Sequence, residues 1–102
     1  MSKPVYLLVT GPGYTEAWHQ LSEEEQNSLW GKVQAADERA GAKWIIACDS
    51  RWADEAIMGF AVIEYPNMDA YQKKVEELQK LNWWRYFSAK TTLGIRMPTP
   101  DG

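Results

Sequence analysis

Cysteine occurs once in this chain, at Cys48. No intrachain disulfide can form, which fits a reducing compartment. Histidine also occurs once, at His19, so there is no Cys/His cluster for zinc. Runs of Lys or Arg are absent, and the formal net charge is -3. That argues against a nucleic-acid partner, whose phosphates demand a basic patch. No apolar segment approaches the length of a membrane span. Met1-Ser2-Lys3-Pro4 leads into an extended run without the apolar core or cleavage site of a signal peptide, so a cytoplasmic protein is expected. There is no P-loop and no glycine-rich dinucleotide fingerprint. Gly11-Pro12-Gly13 reads as a strand-ending turn. No cofactor and no metal are expected.

What the chain has in excess is aromatic side chains. They make up 13% of its 102 residues and include six Trp. Trp is seldom bulk filler, because its N–H needs a partner when buried. Six in so short a chain point to an aromatic-lined cavity, a subunit interface, or both. The length allows one domain, 1–102, with an ordered core over 4–97 and a frayed tail over 98–102.

The pattern repeats. A strand over Pro4 to Thr10 leads to a helix over Ser22 to Ala40, which Gly41 stops. Ser22 and Glu25 have capping-box spacing, and Glu23, Glu24 and Glu25 crowd the positive end of the helix dipole. The intervening Tyr14 to Leu21 has room for a short helical turn. A second strand runs over Ala42 to Cys48, with alternate faces Trp44/Ile46/Cys48 and Lys43/Ile45/Ala47. The polar stretch from Asp49 to Glu55 is a hairpin loop. A third strand, Phe60 to Tyr65, ends at Pro66. Asn67 or Asp69 caps a second helix over Met68 to Leu81, with an inward stripe of Met68, Tyr71, Val75 and Leu78. Lys73, Lys74, Glu76, Glu77 and Lys80 form its solvated side. After the aromatic segment Trp83 to Phe87, a fourth strand runs over Thr91 to Met97. Strand–helix–strand twice over is the order of a ferredoxin-like α+β sandwich, with strands one and three central. Two helices cover one face of such a sheet. The other face carries apolar side chains too, so a second copy of the chain or a ligand is expected to cover it.

No motif names a reaction. His19 is the one side chain with an unperturbed pKa near neutrality, and reads either as a general acid or base or as a solvated histidine. Glu64 and Arg96 fall on one face of their strands. They share the open face and pair, or they reach water at the strand ends. Tyr6, Trp44 and Tyr65 are pocket lining or plain core. Trp83, Trp84, Tyr86 and Phe87 wall a flat ligand or pack an interface. Cys48 reads as a small buried hydrophobe.

The doubled strand–helix–strand order, the passage Glu64-Tyr65-Pro66-Asn67-Met68-Asp69-Ala70-Tyr71 into the second helix, and the aromatic segment before Leu93-Gly94-Ile95 together resemble the dimeric α+β barrel superfamily. That group includes antibiotic-biosynthesis monooxygenases, stress-responsive barrel proteins, muconolactone isomerases and EthD-like proteins. The resemblance implies a homodimer, a small-molecule cavity between sheet and helices or inside the barrel, and no bound cofactor. Cofactor-free monooxygenases of this type hold phenolic substrates with Trp, Tyr, Asn and Arg; Asn82, Trp83, Tyr86 and Arg96 are the residues of matching type. Oxygenation of an apolar aromatic or carbonyl-bearing metabolite is then the expected activity. Arg96 would steady the anion, and His19 or Glu64 would take a proton. Isomerisation, cyclisation or ligand binding alone are the alternatives. The haem-degrading branch carries an Asn where the first strand here ends in Thr10.

Overall fold

The period of two in the first strand decides which way its side chains point. In the computed structural model, which describes residues 3–53 and 56–98, Val5 and Leu7 of strand β1 (Val5–Tyr14) are buried under the helices. Tyr6, Leu8 and Thr10 occupy the opposite face. The remaining elements are α1 (Glu16–His19), α2 (Glu23–Ala40), β2 (Lys43–Asp49), β3 (Gly59–Tyr65), α3 (Met68–Lys80), a single 3-10 turn (Trp83–Arg85) and β4 (Phe87–Gly94). The strands form one antiparallel sheet in the order β2-β3-β1-β4. This is the expected ferredoxin-like α+β fold, with β1 and β3 central and two long helices on one face. Positions 99–102 of the expected tail over 98–102, together with residues 1–2 and 54–55, lie outside the described residues.

Local chemistry sets the helix ends. The Ser22 hydroxyl accepts from the Glu25 amide at 3.1 Å, and the Glu25 carboxylate accepts from the Ser22 amide at 2.9 Å, which completes the capping box. Gly41 closes α2 with φ 72°, a left-handed conformation that glycine adopts at little cost. Asn67 caps α3 through a 2.8 Å bond from the Ala70 amide. Arg39 Nη2 and Glu77 Oε1, 2.6 Å apart, bridge the outer sides of α2 and α3.

Four expectations are corrected. Gly11-Pro12-Gly13 does not end β1: a bulge between Thr10 and Gly13 absorbs the irregularity, and pairing with β4 resumes at Gly13↔Ser88 and Tyr14↔Phe87. That pairing also moves β4 earlier in the chain, to Phe87–Gly94 rather than Thr91 to Met97. In β2 a second irregularity, between Trp44 and Ile46, breaks the simple alternation. Trp44 lies opposite Ile63 and Ala47 opposite Ala61, so both fall on the helix side. In α3, Lys74 is buried and Met68 is exposed; Ala70 and Tyr71 pack on the core instead of Met68.

Two clusters fill the space between sheet and helices. One gathers Val5, Leu7, Ala40, Ile63 and Tyr65. The other gathers Trp18, Val33, Leu78 and Trp83, with Tyr14, Trp30 and Phe87 against them. They do not close on each other completely.

Candidate functional site

Between the clusters lies a cavity of about 530 Å³, bounded by β1, β3 and the β2 edge on one side and by α2 and α3 on the other. Five rings stand in its walls: Tyr14, Trp30, Trp44, Trp83 and Phe87. The β1 bulge builds part of that wall, because it carries Tyr14 to a stacked contact with Trp18, centroids 4.4 Å apart and planes at 18°. Trp83 stacks on Phe87 at 5.4 Å and meets Trp18 edge-on at 6.0 Å. Interlocked rings of this kind hold a flat apolar surface in place. Cys48 and Met58 also line the cavity, at the end nearest the β2–β3 loop. There Arg51 forms two side-chain bonds to Asp49, at 3.0 and 2.7 Å, which hold the Asp49 carboxyl down at about 2.

The floor of this apolar space carries charge. Lys74 Nζ lies 2.8 Å from Asp37 Oδ1, and the two side chains are only 8% and 10% exposed. Both line the cavity. The Tyr65 hydroxyl donates to Asp37 Oδ1 at 3.0 Å and accepts a short hydrogen bond from Lys74. Burial, reinforced by the neighbouring Asp37 carboxylate, raises the Tyr65 pKa far above its ordinary value. The phenol therefore stays neutral and orients the pair rather than acting as a base. Burying two charges beside a void costs free energy that apolar residues in the same places would avoid. A bound ligand with matching polar atoms would give that arrangement a use.

A second, shallower hollow of about 420 Å³ opens on the helix-free face, lined by Tyr6, Leu8, Val62 and the end of β4 with Arg96. Tyr6 lies opposite Glu64 on β3 and Gly94 on β4. Its hydroxyl donates to Glu64 Oε1 at 2.7 Å and accepts from Arg96 Nη2 at 3.2 Å. The Arg96 guanidinium also stands 5.5 Å from the centre of the Tyr6 ring. Glu64 and Arg96 thus share the open face, joined through Tyr6. Around them Leu8, Ile46 and Phe60 are 42%, 51% and 39% exposed.

The candidates from sequence divide between these places. Tyr6, Glu64 and Arg96 meet on the open face. Trp44 and Trp83 line the helix-side cavity, and Tyr65 supports its floor. His19 ends α1 on the surface and lines neither hollow. Asn82, exposed with φ 56°, turns the chain from α3 into the 3-10 turn. Tyr86 packs on the Trp18–Trp83 cluster without reaching the cavity. Asp37 and Lys74 escaped the sequence reading, although a signal existed. Asp37 follows Val33 by four residues, and Lys74 precedes Leu78 by four, so each sits on the buried stripe of its helix. Among the described residues, no group of His, Cys, Asp and Glu is placed to hold a metal ion, and no helix is long and apolar enough to cross a membrane.

No protein-family model and no curated protein matches this chain. Solved structures do resemble it. A protein of unknown function from Rhodopseudomonas palustris superimposes with a TM-score of 0.66 at 14% identity, over 97% of this chain and 86% of that one. Two crystal structures of SnoaB, a cofactor-independent oxygenase from Streptomyces nogalater, one of them a point variant, give TM-scores of 0.55 and 0.51 at 11% and 12% identity. Each comparison covers 99% of this chain and all of SnoaB. At such identities the likeness is one of fold: the chain shares the α+β architecture on which a cofactor-independent oxygenase is built.

Proposed function

We propose that the helix-side cavity is an active site that oxygenates a flat, electron-rich aromatic metabolite bearing a hydroxyl group, without a bound cofactor. The observation that carries this reading is the buried Asp37–Lys74 pair set into a wall of aromatic rings. Trp30, Trp83 and Phe87 would hold the ring system. Asp37 would accept the hydroxyl proton, and Lys74 would pair with the oxyanion. Loss of that proton raises the electron density of the ring, which can then reduce dioxygen directly. At an activated methylene the balance is CH2 + O2 → C=O + H2O, with every electron supplied by the substrate. The fold shared with SnoaB supports the choice of oxygenation. Isomerisation is the second reading, because the same carboxylate–ammonium pair can move a proton between two positions of a bound enol.

In this reading Tyr6, Glu64 and Arg96 belong to assembly rather than chemistry. The apolar open face around them is to be covered by a second copy of the chain, giving a homodimer. His19, Asn82 and Tyr86 take no direct part.

An oxygen electrode tests the proposal with a panel of hydroxyanthrones and naphthols. Uptake of one O2 per substrate consumed is expected, with loss of uptake in Lys74→Met. Substrate turnover without oxygen uptake would select isomerisation instead. No turnover of any panel member would count against an enzyme of either kind.

A further inference from the structure

The charge state of the cavity floor has a consequence for what can bind there. Tyr65 is neutral, so the positive charge of Lys74 and the negative charge of Asp37 cancel, and the buried cluster carries no net charge. Two hydrogen-bonding positions on it remain open. Lys74 has three N–H bonds; one faces Asp37 Oδ1 and one the Tyr65 hydroxyl, and the third meets no described residue. Asp37 Oδ1 takes both incoming contacts, and Oδ2 accepts from no described residue. Both side chains line the cavity. A donor and an acceptor are therefore offered side by side, on two side chains that are themselves almost wholly withdrawn from water.

Taking the cavity as a ligand site, as proposed above, we infer that Asp37 and Lys74 select ligands by charge: the cavity takes a neutral molecule with a hydroxyl or amide group and rejects its carboxylate isostere. A neutral hydroxyl satisfies both open positions at once, donating to Asp37 Oδ2 and accepting from Lys74 Nζ. If its proton transfers, the ligand O–H bond breaks as the Oδ2–H bond forms, and the oxyanion stays paired with Lys74. The net charge of cluster plus ligand is zero before and after. A permanent anion behaves differently. The ammonium it would need is already neutralised by Asp37, so the anion would set one uncompensated negative charge against the buried pair. The carboxylate would also face the buried Asp37 carboxylate directly, and like charges at short range repel more strongly as water around them is reduced.

Trp30, Trp44 and Trp83 in the cavity wall give a direct readout through quenching of intrinsic fluorescence. Naphthol, naphthamide and naphthoate are suitable probes at neutral pH, where only the last is charged. The wild-type protein is expected to bind naphthamide at least about tenfold more tightly than naphthoate, which has the same shape. Asp37→Asn keeps the shape and an acceptor but leaves Lys74 as an unbalanced cation. The order should then invert, with naphthoate the tighter ligand. Equal or tighter binding of naphthoate by the wild type would overturn the charge selection and leave the cavity standing as a ligand site. So would an unchanged order in a folded Asp37→Asn variant. If that variant fails to fold, the wild-type comparison alone decides. Absence of binding by all three probes would overturn this inference together with the placement of the active site.

Discussion

Asp37 on α2 and Lys74 on α3 form an ion pair at 2.8 Å, with both side chains almost wholly withdrawn from water. The two helices that carry them also meet on the outside through Arg39 and Glu77, where the side chains are 61% and 34% exposed. The outer pair is screened and worth little, about 0–1 kcal/mol. The inner pair is different. Its members rely on each other, because either one left alone would be a buried, unpaired charge.

Lys74→Met is therefore expected to destabilise the protein by about 3–5 kcal/mol, since Asp37 is left without its counter-ion. Replacing both residues, as Asp37→Leu with Lys74→Met, should recover most of that loss. Urea unfolding of the two single variants and the double variant forms a cycle that reads the coupling. Additive losses would show that the pair is not coupled.

Tyr65→Phe removes the hydroxyl shared by Asp37 and Lys74 while keeping the buried ring. A loss of about 1–3 kcal/mol is expected. The pH dependence carries the sign. The folded pKa of Tyr65 is raised, first by burial and then by the Asp37 carboxylate, above its ordinary value of 10.0. Its contribution is intact below that value and falls as the pH climbs through it, because the unfolded chain ionises first. The wild type should lose stability more steeply above that pH than Tyr65→Phe does. Tyr14 and Tyr71, raised by burial as well, remain in both proteins and cancel in the comparison. Identical alkaline profiles would mean that Tyr65 is not held neutral by the fold.

The β1 bulge depends on Gly13, which has φ 89° and a Met58 sulfur 2.6 Å from where a Cβ would stand. Gly13→Ala is expected to cost about 1–3 kcal/mol, from backbone strain and displacement of Met58. Near-ultraviolet circular dichroism should change with it, because Tyr14 and Trp18 owe their stacking to that turn of the strand. A wild-type aromatic spectrum and melting temperature in the variant would contradict this account of the bulge.

Leu8 stands in the middle of the helix-free face, beside Val62 and Thr92. Sedimentation of the wild type is expected to give a dimer, and Leu8→Glu should shift it to monomer while leaving probe binding in the helix-side cavity intact. A wild type that sediments as a monomer at every concentration would remove the proposed homodimer.

Much of the architecture was legible from neighbours along the chain. Ser22 with Glu25, Asn67, and Gly41 mark helix ends through contacts made within a few residues, and the alternation of Val5 to Thr10 separates the two faces of β1. The open-face trio was legible in part: alternation groups Glu64 with Phe60 and Val62, and Arg96 with Thr92 and Gly94, and leaves open whether the two sets share a face. Its link through Tyr6 depends on register between β1, β3 and β4. The bulges were not legible, because Gly11-Pro12-Gly13 serves equally well as a turn and as an irregular strand. Only the pairing of Tyr14 with Phe87 decides between them.

The sequence by itself determined the order of elements, the doubled strand–helix–strand plan and the excess of rings, all of which follow from short-range periodicity and composition. Where the charge would be buried was a matter for the tertiary structure. Asp37 and Lys74 each fall on the inward stripe of a helix, but nothing along the chain says that the two meet until α2 and α3 lie side by side on the sheet. Packing of separate segments brings them within 2.8 Å and excludes water from around them, and no local pattern encodes that meeting.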